Sequence, residues 1–140
     1  MTVNQLMDIA ERENVTVNHF SLEKREALSF RDSTDGSCHI AIDPRRVASM
    51  AEGKTKLAHE LGHCVTGAFY NIYSPLDIKQ KHENTADKWA IKKLIPEDEL
   101  KRAVADGCTE YYSLAELFGV TEELLRKAVS LYEYGNLHSV

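Results

Sequence analysis

No run of apolar residues in this 140-residue chain is long enough to cross a bilayer. Basic charge is also scarce: 17 Lys and Arg stand against 22 Asp and Glu, a net charge of −5, which argues against a general nucleic-acid binder. No Cys-x-x-Cys pair is present, which speaks against the cysteine-closed sites that hold structural zinc. The three cysteines, Cys38, Cys64 and Cys108, are odd in number and widely spaced, as expected of buried thiols in a reducing cytoplasm. Residues 1–14 carry acids in an amphipathic pattern instead of the basic start and apolar centre of a secretion signal, so the expected location is cytoplasmic. Internal repeats and low-complexity stretches are lacking as well. The length fits one domain over residues 1–140, with chain enough for a core.

What the chain does have is His59-Glu60-Leu61-Gly62-His63. Helical residues four apart project on one face, about one turn from each other, so both imidazoles can address one Zn²⁺ ion. Glu60 is offset by roughly 100° around the axis, out of the ligand set but within reach of a water at the metal. Two ligands and a general base are the core of a zinc peptidase. Residues 54–70 read as the helix that carries them. Leu57, Leu61, Cys64 and Ala68 form its core stripe, and His59 lies about 200° from Leu57, facing away. A small residue at Gly62 would let another segment come close to the metal. The competing reading is a pair of surface histidines on an ordinary amphipathic helix, and it leaves a second acidic block downstream without a role.

A catalytic zinc needs a third protein ligand, with its fourth position open. Residues 82–96 read as a helix with Ala86, Ala90 and Leu94 in one apolar row. Glu83 and Asp87 share another face of it. Glu83 is the expected third ligand, leaving the site with a net charge of about +1. Asp87 is expected to accept the outer N–H of a ligand histidine, His59. His82 and Glu110 are the remaining candidate ligands. Tyr70, Tyr73, Tyr111, Tyr112 and His138 are unranked candidates for a second electrophile.

The two blocks together resemble the ImmA/IrrE family of metallopeptidases. The parts that carry the likeness are Cys38-His39-Ile40-Ala41-Ile42-Asp43, Leu57-Ala58-His59-Glu60-Leu61-Gly62-His63, and Glu83 through Pro96. Residues 37–100 match well and the flanks loosely. Thr85 departs from the pattern, since many members carry a second Glu there. The resemblance implies a zinc endopeptidase of gluzincin-like type, with His59 and His63 as ligands and Glu60 as catalytic acid/base, and it supports Glu83 as third ligand. It also implies a phage or mobile-element setting and a Cro/CI-like repressor as the protein partner.

The expected fold is α+β and zincin-like: a small antiparallel three-stranded sheet on the motif helix, over residues 1–95, followed by a helical tail, 96–140. Residues 1–13 read as a helix, and 15–22, 27–31 and 37–42 as strands. A strong hairpin turn covers Asp32 to Gly36. Residues 44–50 read as a short helix, separated from the motif helix by Glu52-Gly53. The strand at 15–22 or 37–42 is the expected sheet edge for an extended substrate. Residues 71–81 read as a connector, 97–105 as a helix, and 131–140 as a fraying end. Residues 113–129 read as helix, turn, helix. A DNA-binding use of that pair would put Glu122 and Glu123 against phosphates, so a structural or repressor-contact role is preferred. Two rivals to hydrolysis are a metal-binding regulator that acts by contact alone and a DNA-binding regulator using residues 113–129. With no propeptide evident, a narrow specificity is expected.

Overall fold

The computed structural model describes residues 1–71 and 73–140. Helix α1 (Val3–Arg12) starts at Thr2, whose hydroxyl accepts from the Gln5 backbone while the Gln5 side chain accepts from the Thr2 backbone. This reciprocal cap satisfies two otherwise orphaned N–H groups. Asn14, at φ 57°, turns the chain into β1 (Val15–His19); Asn tolerates that left-handed region better than most residues. Strands β2 (Ala27–Arg31) and β3 (Cys38–Ile42) follow, joined by the hairpin turn expected at residues 32–36.

The sheet order is β1-β3-β2. β2 pairs with β3 antiparallel, but β1 pairs with β3 parallel, so the sheet is mixed and not antiparallel throughout. Residues 20–26 are long enough to carry the chain past β3 to its far side. Of the two strands expected at an edge, the one in 15–22 lies there and the one in 37–42 does not. β3 is central, and β1 and β2 are the edges. The reason is legible in β3 itself: Ile40, Ala41 and Ile42 are all buried, the unbroken apolar run of a strand covered on both faces. Asp43 then closes the sheet end. Its buried carboxylate accepts from the Leu22 N–H at 2.8 Å and the Arg45 N–H at 3.0 Å. That second bond makes residues 44–46 a turn and not the expected short helix.

Helix α2 (Met50–Thr66) begins at Ser49, whose side chain accepts from the Glu52 N–H, and runs through Gly53 without a break. It ends at Gly67, which takes φ 71°; the motif helix therefore stops short of Tyr70. Helix α3 (Leu76–Leu94) starts after Pro75, six residues earlier than the periodicity suggests. Its first turns are solvent-exposed, so they carry no apolar stripe to betray them. Within the expected connector, Ile72 lies outside the described residues. Helices α4 (Glu97–Ala105), α5 (Tyr111–Phe118) and α6 (Glu122–Tyr134) complete the chain. The end is docked where fraying was expected. Leu137 is buried, and Ser130 Oγ donates to the Asn136 carbonyl at 2.6 Å while accepting from the Ser139 N–H at 2.8 Å.

One core cluster runs from Leu6 to Leu137 and joins the sheet, α2, α3 and the C-terminal helices. Cys38 on β3 and Cys64 on α2 form a disulfide across it, so two of the expected free thiols are bonded to each other. Both point into the same core, one from the sheet and one from the helix, which is why two residues read as apolar filler meet. With that pairing, the cysteines no longer argue for a reducing compartment. Arg31 adds a second tie, donating to the Cys64 carbonyl at 2.9 Å near the C-terminus of α2. No helix among the described residues is long and apolar enough to cross a membrane.

Candidate metal centre

His59 and His63 lie one turn apart on α2, and each is oriented through its Nδ1. His59 Nδ1 donates to Asp87 Oδ1 at 2.7 Å. His63 Nδ1 donates to the Ala68 carbonyl at 2.5 Å. A carbonyl only accepts, so the proton of a neutral His63 sits on Nδ1 and its Nε2 presents a lone pair. The Ala68 carbonyl reaches the ring because Gly67 reverses the chain right after the helix. The two Nε2 atoms then face each other at 3.2 Å.

Glu83, from α3, completes the group. Its Oε2 lies 2.7 Å from His59 Nε2 and its Oε1 3.1 Å from His63 Nε2. Burial pulls the His59 pKa down, but the hydrogen bonds and charges of Asp87 and Glu83 outweigh it and raise the value to about 9. Burial likewise pushes the Glu83 carboxyl up, and its close contacts with the His59 and His63 rings override it, holding the group well below the usual carboxylate range. Asp87 is also lowered: burial opposes this, and the His59 hydrogen bond and charge, followed by Lys127, prevail.

This donor set fits a divalent metal. Among the described residues, His59, His63 and Glu83 form a group with one ligand atom each, all within 4.8 Å of one another. Tetrahedral zinc at 2.0–2.1 Å from its donors spaces them roughly 3.3 Å apart. The 3.2 Å and 3.1 Å separations match that edge, and the 2.7 Å one is drawn in by the hydrogen bond that a proton on His59 makes. Once a cation displaces the His59 Nε2 proton, two imidazole lone pairs and a carboxylate are turned toward one point, which is what a cation satisfies.

Glu60 is buried and lines a small cleft of about 100 Å³ with Arg25, Ser29, His63, Tyr70 and Glu83. Of the tyrosines considered, Tyr70 reaches this cleft, and its hydroxyl donates to Glu83 Oε1 at 2.8 Å. It does so from the loop after Gly67 and not from the helix. Tyr73 and Tyr112 are exposed, Tyr111 lies under the Arg126 guanidinium, and His138 belongs to the docked C-terminus. His82 stacks on Tyr70 and is outside the ligand group; Glu110 precedes α5. A larger cavity of about 560 Å³, with Lys56 and Lys127 in its lining, opens on the side of His59, Glu83 and Asp87. Sequence reading missed the Ala68 carbonyl, Arg25 and Ser29. Gly67 was the one local signal for the first; nothing local marks the other two.

The profile of a peptidase family, described as the IrrE N-terminal-like domain, matches residues 10–130. The chain belongs to this family. No curated protein matches it. As an IrrE N-terminal-like peptidase it has a metallopeptidase-like function with protein as the substrate class. Members of the family are metal-dependent, and in this one His59, His63 and Glu83 are the residues that could hold the ion.

Proposed function

We propose that the chain works as one metallopeptidase domain, residues 1–140, that hydrolyses a specific protein partner with a Zn²⁺ ion held by His59, His63 and Glu83. The observation that carries this reading is the convergence of His59 Nε2, His63 Nε2 and the Glu83 carboxylate, each oriented by a partner of its own. When bound, zinc supplies a Lewis acid that polarises the scissile carbonyl and acidifies water.

The side chains do the rest. Asp87 accepts the Nδ1–H hydrogen bond of His59, and the Ala68 carbonyl that of His63, so each neutral ring turns an Nε2 lone pair toward the ion. Glu60, opening on the cleft beside them, takes the proton of the attacking water on its carboxylate and returns it to the leaving nitrogen. Tyr70, at the cleft and in hydrogen bond with Glu83, is the phenol best situated to donate to the developing oxyanion. β2, an edge strand that contributes Ser29 to the cleft, suits main-chain pairing with an extended substrate. The substrate proposed is a Cro/CI-like repressor of a phage or mobile element, supported by the likeness of residues 37–100.

The test compares the wild type with Glu60→Gln, both loaded with zinc, on a purified Cro/CI-like repressor. The expected result is one zinc per chain in both and cleavage by the wild type alone, with the variant slower by about 10²-fold or more. A Glu60→Gln protein that keeps zinc and still fully inactivates the repressor would show that contact, not hydrolysis, is the mechanism.

A further inference from the structure

Asp87 is a buried carboxylate used at both ends. Oδ1 accepts from His59 Nδ1 at 2.7 Å, and Oδ2 accepts from Lys127 Nζ at 2.8 Å. Lys127 comes from α6, the last helix, 40 residues away in sequence. The Asp87 side chain is 9% exposed and that of Lys127 23%. The other carboxylate near Lys127, Glu123, is 3.6 Å away and 82% exposed, so solvent screens that contact. The ammonium is therefore spent on Asp87, in a setting where a charge pair is felt more strongly than at the surface.

That pairing has a geometric consequence. With both oxygens engaged, Asp87 cannot rotate without breaking a charge-assisted hydrogen bond. His59 in turn has its ring plane and tautomer set by Oδ1, and its Nε2 aimed at His63 and Glu83. Without Lys127, Asp87 would be held at one oxygen only and would carry a buried charge with less compensation.

We propose that Lys127 is a positioning residue of the metal centre: by holding Asp87 it keeps His59 aimed at the ion, and so makes the C-terminal helix part of the centre. This rests on the metallopeptidase reading above. The ion pairs of Lys127 run to Asp87 and Glu123, and of these Asp87 is the one that reaches His59.

The test uses the full chain stripped of metal, with Zn²⁺ titrated against a chromogenic chelator at fixed pH, and with the melting midpoint of each metal-free protein measured alongside. Lys127→Met is expected to lower zinc affinity by about tenfold, the lower end of what loss of an outer partner costs a metal site. Lys127→Arg, which keeps the cation, should recover most of that loss, and Glu123→Gln should bind as the wild type does. A merely structural ion pair would lower the metal-free melting midpoint of Lys127→Met and leave the zinc affinity of the folded protein unchanged, and that result overturns the proposal. If Lys127→Met does not fold, Lys127→Gln takes its place under the same criteria. A wild-type chain that binds no zinc would overturn the metallopeptidase reading itself; equal affinity in wild type and variant would overturn the role of Lys127 alone.

Discussion

Gly62 of α2 lies directly against Ala86 of α3: a Cβ on Gly62 would fall 2.7 Å from the Ala86 carbonyl oxygen and 3.0 Å from its Cα. Those atoms are backbone and cannot swing aside. The glycine is therefore the point at which the helix bearing Glu83 comes close enough for its carboxylate to reach both imidazoles. Ala86 and Asp87 follow Glu83 by three and four residues, so this contact and the metal group sit on adjoining turns.

Gly62→Ala should consequently weaken both the fold and the site. Overpacking costs about 1–3 kcal/mol, against a gain in helix propensity of up to about 1 kcal/mol. Urea unfolding should show a net loss, and zinc titration a weaker site. A stability loss with unaltered zinc affinity would sever the link drawn between this contact and the ligand group.

Zinc should stabilise the folded chain by mass action. At free zinc a thousandfold above Kd, the gain in unfolding free energy is about 4 kcal/mol. Chelation should abolish it, and Glu83→Gln should shrink it by removing the one carboxylate of the group. Thermal melts with and without chelator measure both. An equal zinc-induced rise in Glu83→Gln would take Glu83 out of the ligand set.

Tyr70→Phe removes the hydroxyl that donates to Glu83 Oε1 at 2.8 Å. Loss of such an outer partner should lower zinc affinity by about tenfold. Turnover should fall further than affinity if the phenol also serves the oxyanion. Zinc affinity and rate, measured at saturating metal, separate the two roles; wild-type values for both would leave Tyr70 a bystander.

The Cys38–Cys64 bridge spans 26 residues of sequence. On the chain-entropy account, closing a loop of that length stabilises by about 3.5 kcal/mol. Thiol titration of the unfolded, unreduced chain should find Cys108 alone reactive. Reduction, or Cys38→Ala with Cys64→Ala, should lower the urea midpoint. Reaction of all the cysteines before any reductant is added would show the bridge to be absent.

Asp43 should make stability fall in acid. The hydrogen bond from the Leu22 N–H holds its pKa below the usual value; burial opposes this, while the Arg45 N–H and the Arg45 and Arg46 guanidinium groups add to it. Because the folded value is the lower one, the contribution is complete above the unfolded-state pKa of about 3.9 and disappears as pH falls through the folded value. Urea midpoints of wild type and Asp43→Asn, compared between neutral and acid pH, should converge as pH drops. A gap that persists in acid would assign the effect to shape and not to charge.

The pairing of His59 and His63 was legible because their relation is local. Four residues on a helix bring His59 and His63 together whatever the rest of the chain does. Glu83 and Asp87 needed more: their spacing put them on one face, the need for a third ligand pointed to that face, and the likeness to a known family supported the choice. The helices of the C-terminal part were legible from Thr121 and from leucine spacing, while the start of α3 was not, since an exposed helix leaves no apolar period. The parallel pairing of β1 was missed because a hairpin suggests a meander, although the apolar run in β3 argued for a strand covered on both faces.

Residue chemistry and short-range geometry decided the motif, its helix, the hairpin and the acidic pair, since each depends on a few bonds of one segment. The packing of segments distant in sequence decided the rest. The approach of α3 at Gly62, the bridge from β3 to α2, the return of the Ala68 carbonyl and the reach of Lys127 to Asp87 depend on the whole core closing. Such contacts follow from how faces fit together in three dimensions, and spacing along the chain does not encode which face meets which.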